Sequence, residues 1–299
     1  MHFFALFYLR RIKALDRKDF LISNSSSNGH ISYVSAFTNN ARENNEFEIH
    51  THYDRLEIYY FLEGDLFFAF DGKRYDIKDR TMIIIPEGML HRPVIKHPCP
   101  YFRKRILFSK EIFGGYDFDN LDFSILLKKA KIIILDSQTI SDMQLDVAFD
   151  NVADYLSLHS EYGDFCATVA LCSLLIKTAQ IDVNLAANSF ELHNDKILQI
   201  IKYIDANLNN KLNYKDLSNH FFISEKGLYK FFKKETGFAL GAYINERRIM
   251  QAQNLLLSGI SSKEAAIEAG FQEYTSFYRS FLKRTGYTPS QYVKLHKRQ

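Results

Sequence analysis

The sequence predicts an α+β chain of two domains: an N-terminal β-barrel with flanking helices, then an all-α domain holding two helix-turn-helix units. Three observations predict this. Residues 32–108 run in short β-branched and aromatic segments separated by turn signals. Residues 194–299 hold one pattern twice: a short helix, a break, then an aromatic-backed basic helix ending in glycine. Between these regions the apolar residues change to near-helical spacing.

Composition and charge agree with that division. At 299 residues, 46% apolar and 24% charged, the chain has the length and balance for two globular cores. Its net charge of +3 is unevenly placed. From Asn194 onward there are 17 lysines and arginines against 9 acidic residues, leaving 21 against 26 before it. Only the C-terminal part is therefore suited to a polyanion. The three cysteines, Cys99, Cys166 and Cys172, lack metal-binding spacing and suit a reducing compartment as free thiols. The opening MHFFALFYLRR has its arginines after the apolar run and is too short to span a bilayer, so it reads as a strand or a frayed end.

In the N-terminal part, LEIYYFL (56–62), LFFAF (66–70), KRYDI (73–77) and TMIII (81–85) read as strands. Asp71-Gly72 between two of them is a two-residue hairpin signal. Short strands at this spacing indicate a sandwich or small barrel. His50 and His52 are two apart, which on a strand puts both on one face. Glu57 and Gly64 follow, and Pro86-Glu87-Gly88 leads to His91. These spacings resemble the two metal motifs of the cupin superfamily, in which three histidines and a glutamate converge inside a barrel. Asn44, Arg80 and Ile95 stand where those motifs carry glycine, glycine and asparagine. Imidazole and carboxylate suit a divalent metal. The same four residues could instead hydrogen-bond a polar ligand, or one another. Tyr59, Tyr60, Phe61, Phe67, Phe68 and Phe70 by alternation send about half their rings inward.

Residues 141–181 read as helical, and ATVALCSLLIKTA is so apolar that it must be buried against the barrel or another chain. Residues 182–193 lose periodicity and read as a linker. Lys196–Asn213 is a helix with Ile197, Ile200, Ile201 and Ile204 on one stripe. Ser224 caps a helix that turns Leu228, Phe231 and Phe232 inward and Lys226, Tyr229, Lys230, Lys233 and Lys234 outward. Ala242–Leu257 forms a connecting helix. Ser262 is the expected cap of the next helix, and Gly270-Phe271 the break after it. Tyr274–Arg284 then carries Phe277 and Phe281 on one face and Tyr274, Thr275, Arg279 and Lys283 on the other, with Arg284 at its end. Gly286 stops it and Pro289 opens a last turn.

Ala266, Gly270-Phe271, Phe277, Arg279, Phe281, Lys283, Gly286, Thr288-Pro289 and Tyr292 resemble the pattern of AraC-type transcription regulators. Ser224, Leu228, Phe232-Lys233, Gly237, Arg248-Ile249 and Leu255-Leu256 extend the resemblance through the first unit and the connecting helix. Ser262, Ala265 and Ser218 depart from it. The resemblance implies a cytoplasmic regulator rather than an enzyme: a cupin-like ligand-sensing barrel (1–135), a helical dimerisation segment (136–181), a linker (182–193) and the DNA-binding domain (194–299). DNA-reading residues are then Lys226, Tyr229, Lys230, Lys233, Tyr274, Thr275, Arg279 and Lys283. Ligand or metal residues are His50, His52, Glu57 and His91. The expected partners are a double-stranded DNA operator, a small-molecule effector such as a sugar, a second copy of the chain and RNA polymerase, with no membrane. The alternative is a metal-dependent cupin enzyme, or a metal sensor, fused to a DNA-binding tail.

Overall fold

The computed structural model describes residues 18–42, 49–52, 55–113, 132–181, 191–192, 195–210, 212 and 214–296. The opening MHFFALFYLRR and most of the expected linker lie outside the described residues.

Among the described residues ten strands form: β1 (Phe20–Ser25), β2 (Ile31–Ala41), β3 (Arg55–Glu63), β4 (Leu66–Phe70), β5 (Lys73–Asp76), β6 (Thr81–Ile85), β7 (His91–Ile95), β8 (Cys99–Ser109), β9 (Ile133–Leu135) and β10 (Glu191–Leu192). They make a six-stranded sheet, β1-β2-β8-β3-β6-β9, and a four-stranded sheet, β10-β5-β4-β7. All the pairings are antiparallel. The inner faces share a core in which Tyr59, Phe61, Ile83 and Ile85 meet Phe68, Phe70 and Tyr75. Among the described residues no ladder joins the two sheets into a closed ring, so the expected barrel takes the form of two facing sheets. The Asp71-Gly72 hairpin forms as expected, with φ of 41° and 83°. Among the described residues no strand carries His50 and His52; residues 49–52 contribute one bridge, between His50 and His91.

Strand β4 is buried at all five positions, as a strand covered on both faces must be. Leu66, Phe68 and Phe70 point into the inter-sheet core. Phe67 and Ala69 point out, onto the helical half of the molecule.

Helices α1 (Ser137–Asp142), α2 (Leu145–Leu156) and α3 (Glu161–Ala179) cover the larger sheet. There Phe149, Val152, Leu156, Leu171 and Leu174 pack on Ile31, Tyr33, Ile58 and Tyr60. Ser160 caps α3 by accepting from Gly163 N–H at 3.1 Å. By length and composition α3 could cross a bilayer, but one face of it is built into this core. Its other face leaves Tyr162, Phe165, Val169 and Ile176 exposed.

The helical half comprises α4 (Asp195–Ala206), α5 (Tyr214–His220), α6 (Glu225–Thr236), α7 (Leu240–Leu257), α8 (Ser262–Glu268), α9 (Tyr274–Thr285) and α10 (Pro289–His296). Helix α7 serves two cores. Its Tyr243 and Ile244 join α4, α5 and α6 in a cluster that also takes in Phe67, Ala69, Leu90 and Val94 of the β half. Farther along, Ile249, Ala252 and Leu256 join Ala265, Ala266, Phe271, Phe277, Phe281 and Tyr292. The first helix-turn-helix unit thus completes its core on the outer face of the smaller sheet. Close approach there depends on Gly237: at φ +72° it takes a left-handed cap, and a Cβ on it would lie 2.7 Å from Val94 Cγ2. In the helical half two further sequence expectations are corrected. Helix α4 ends at Ala206 rather than Asn213, and Ser261, not Ser262, caps α8 in a capping box with Glu264.

Candidate functional sites

The β half gathers His50, His52, Glu57 and His91, with one donor atom of each lying within 4.8 Å of all the others. Glu57 comes from β3 and His91 opens β7, while His50 and His52 come from the short segment bridged to β7. Oε2 of Glu57 lies 3.0 Å from Nε2 of both His52 and His91. The His50 ring stands 4.2 Å from that of His91 and 5.3 Å from that of His52, centroid to centroid. Burial opposes ionisation of Glu57, yet hydrogen bonds from His52 and His91, with their charge, hold its carboxyl well below the usual range.

The donor set fits a divalent cation for a second reason. His91 Nδ1 lies 2.9 Å from the carbonyl oxygen of Met89. A carbonyl only accepts, so Nδ1 carries a proton. Nε2, which faces Glu57, either holds a second proton that it donates to the carboxylate or turns its lone pair to a cation shared with it. A lone pair facing a buried carboxylate calls for a cation between them or a second proton on the ring. Orientation of a ligating histidine by a backbone carbonyl is the arrangement a metal centre uses.

Deeper in the same core, the hydroxyls of Tyr59 and Tyr101 hydrogen-bond one another. The Arg103 guanidinium lies 4.9 Å from the Tyr101 ring centroid. Burial drives the Tyr59 hydroxyl well above its ordinary value and Tyr101 to about 12. Tyr59 is two residues from Glu57 on β3 and shares its face, so a polar file runs inward from the cluster. Sequence reading listed Tyr59 among the aromatics and missed Tyr101 and Arg103. Their signal was the alternation Tyr101-x-Arg103 on β8, which pairs with β3.

On the helical half, the eight expected DNA-reading residues all stand exposed on two helices of the same length. Helix α9 repeats α6 at an offset of 49 positions, and their ends repeat atom for atom. Thr236 Oγ1 donates to Phe232 O and accepts from Phe238 N–H; Thr285 does the same with Phe281 and Tyr287. At this offset Lys230 matches Arg279, Lys226 matches Thr275 and Lys234 matches Lys283. Leu228 and Phe232 anchor α6, and Phe277 and Phe281 anchor α9, which turns those side chains outward. The Tyr229 ring leans on Tyr214 at 5.2 Å, and the Tyr274 hydroxyl lies 3.1 Å from Ser262 Oγ. Tyr278, the match of Tyr229, was missed; its signal was the offset itself.

Two arginines of the helical half are occupied within the chain. Arg247 donates to Asp205 at 2.9 Å, and Arg284 donates to Glu246 at 2.5 Å.

Comparison with known proteins matches residues 217–295 to a helix-turn-helix domain family and residues 42–100 to a cupin domain family. The regulatory protein PocR of Salmonella typhimurium is 25% identical over 177 residues, 54% of this chain and 57% of that protein. The transcriptional regulatory protein HptR of Staphylococcus aureus is 33% identical over 96 residues, 32% of this chain and 38% of that one. This chain therefore spans about 57% and 38% of these two curated relatives. Among solved structures, ToxT of Vibrio cholerae is 12% identical, covering 88% of this chain and 98% of that one, with a TM-score of 0.35.

Proposed function

We propose, from the premise that this is a chain of the AraC type with a cupin domain ahead of a double helix-turn-helix domain, that it is a cytoplasmic regulator binding a DNA operator. The observation that supports this best is the repeated pair α6 and α9. Each exposes basic and aromatic side chains opposite a buried aromatic face, and one rigid helix, α7, joins their cores. Two such helices on one connector suit successive segments of major groove, roughly 34 Å apart. Lys226, Tyr229, Lys230, Lys233, Tyr274, Thr275, Arg279 and Lys283 are the proposed contacts.

In this reading residues 1–135 sense and 194–299 bind DNA, while 136–181 dimerise. His50, His52, Glu57 and His91 hold the effector. The orientation of His91 by Met89 favours a divalent cation, alone or carrying a small molecule, over a sugar bound by hydrogen bonds only. A bound cation would supply positive charge to Glu57. The chain's own part is to orient three rings and exclude water from the carboxylate. The function is binding, with no catalytic step.

Selection of duplexes from a randomised library by the full chain tests the proposal. A recovered consensus, with affinity falling steeply as salt rises, is the expected result. Recovery of no enriched sequence would remove the regulator reading.

A further inference from the structure

His50 and His91 exchange both backbone hydrogen bonds, at 3.2 and 2.9 Å, so neither moves without the other. The helical half holds this pair from two sides. On one side Arg284, in the last turn of α9, donates from Nη2 to the carbonyl oxygen of Ile49 at 2.5 Å. Ile49 is the residue before His50. The Nε of Arg284 donates to Glu246, and these two side chains are only 16% and 10% exposed. On the other side is the Asp71-Gly72 turn. Asp71 N–H donates to Leu90 O at 2.8 Å, and Leu90 N–H donates to Asp71 Oδ1 at 3.0 Å. Leu90 is the residue before His91. That turn is pressed into the helical half, where a Cβ on Gly72 would stand 2.3 Å from Ile201 Cδ1. Burial pushes the Asp71 carboxyl up, and the charge of Arg247, the neighbour of Glu246 on α7, pulls against it.

We propose that Arg284 is a latch that fastens the second helix-turn-helix unit to the edge of the histidine cluster, so that occupancy of the cluster and engagement of DNA depend on one another. The proposal rests on the functional reading above and names what carries its regulation. Both bonds of Arg284 involve a charged donor in a largely dry site, where such bonds are strongest. Holding a cation on His50 and His91 would act on the Ile49 carbonyl one residue away, and so would change what the latch contributes. DNA that shifts α9 acts on the same bond from the other end. By linkage the two effects are equal in size.

The test uses the full chain, Zn²⁺ alone as the probe, and a duplex selected by the wild-type chain. Saturating Zn²⁺ is expected to change the Kd for that duplex by about fivefold or more, and the duplex to change the Zn²⁺ Kd by the same factor. In the paired variant Arg284→Met, Glu246→Leu both factors should fall below about twofold, while each ligand still binds alone. Both partners are replaced because Arg284→Ala by itself would strand Glu246. Arg284→Lys keeps one donor centre in place of the fork, should give an intermediate factor, and decides the matter if the paired variant melts early. A paired variant, or a Lys variant, that keeps the wild-type factor would overturn the latch. So would a wild-type Kd that Zn²⁺ leaves unmoved, and both outcomes leave DNA binding standing. Failure of the wild type to hold any duplex removes the functional reading and the latch together.

Discussion

Arg279 projects from the middle of α9, opposite Phe277 and Phe281, and its planar fork matches the O6 and N7 acceptors of guanine. Its counterpart Lys230 has the same place on α6 but carries only a point charge. Arg279→Ala should therefore relax preference at one base pair, by about 1–3 kcal/mol against the wrong base, whereas Lys283→Ala should weaken all sequences alike. Selection over randomised sites with each variant reads this directly, and an unchanged consensus in Arg279→Ala would rule out base readout by that residue. At the cluster, His52→Ala should lower Zn²⁺ affinity by at least the roughly 10-fold that an outer-shell partner costs, measured by titration calorimetry. Duplex binding without metal should persist in it. Single residues were legible where they sat in spaced motifs: the four cluster residues lie together as the resemblance to the cupin motifs implies. Arg247 and Arg284 were not legible, because a sequence lists cations without the carboxylates that meet them across the fold. Asp205 and Glu246 are remote in sequence from the residues they neutralise and become their neighbours only through packing.

Among the elements, α3 carries the clearest untested expectation. Tyr162, Val169 and Ile176 recur every seven residues, with Phe165 between them, and Val169 is 53% exposed. A stripe of that period fits a partner helix better than solvent. A charge in its middle should be expelled from such a seam, so Val169→Glu is expected to weaken self-association about tenfold or more, read by sedimentation. A chain monomeric at all concentrations before mutation would sink the dimer proposal. Gly237 tests the packing of the first unit on the sheet. Alanine there would meet Val94 and hold a strained φ, so Gly237→Ala should cost about 1–3 kcal/mol in thermal unfolding. The β4 strand, the Asp71-Gly72 hairpin and both helix-turn-helix units were legible because each has a strong local period or turn chemistry. The outer face of β4 was not. Phe67 and Ala69 look like any alternating strand, and only the fold shows that helices rather than water cover them. Adjacent serines misled the cap of α8, since Ser261 and Ser262 are equally good local candidates and the Glu264 partner selects the first.

Over the whole molecule, of seven basic residues suited to phosphate (Lys226, Lys230, Lys233, Arg247, Arg279, Lys283 and Arg284), folding takes Arg247 and Arg284 into internal pairs. Lys226, Lys230, Lys233, Arg279 and Lys283 remain exposed. The slope of log affinity against log salt, per chain, should then be no steeper than about −4.5, where seven contacts would give about −6. Fluorescence anisotropy over a salt series with the full chain measures it. Slopes near the steeper value would mean that Arg247 and Arg284 leave their carboxylates when DNA arrives.

The two-residue strand β10 has a further consequence, in time rather than in space. Its Glu191 and Leu192 lie opposite Tyr75 and Arg74 on β5, at the edge of the smaller sheet and just ahead of the helical half. Such a short ladder has few rungs to lose and opens at low free energy. Backbone amides at these rungs should therefore exchange their hydrogens with solvent sooner than those of β4, whose neighbours flank it on both sides. Deuterium uptake at β5 and β10, measured with and without DNA, would then show whether this edge opens when the helical half is engaged.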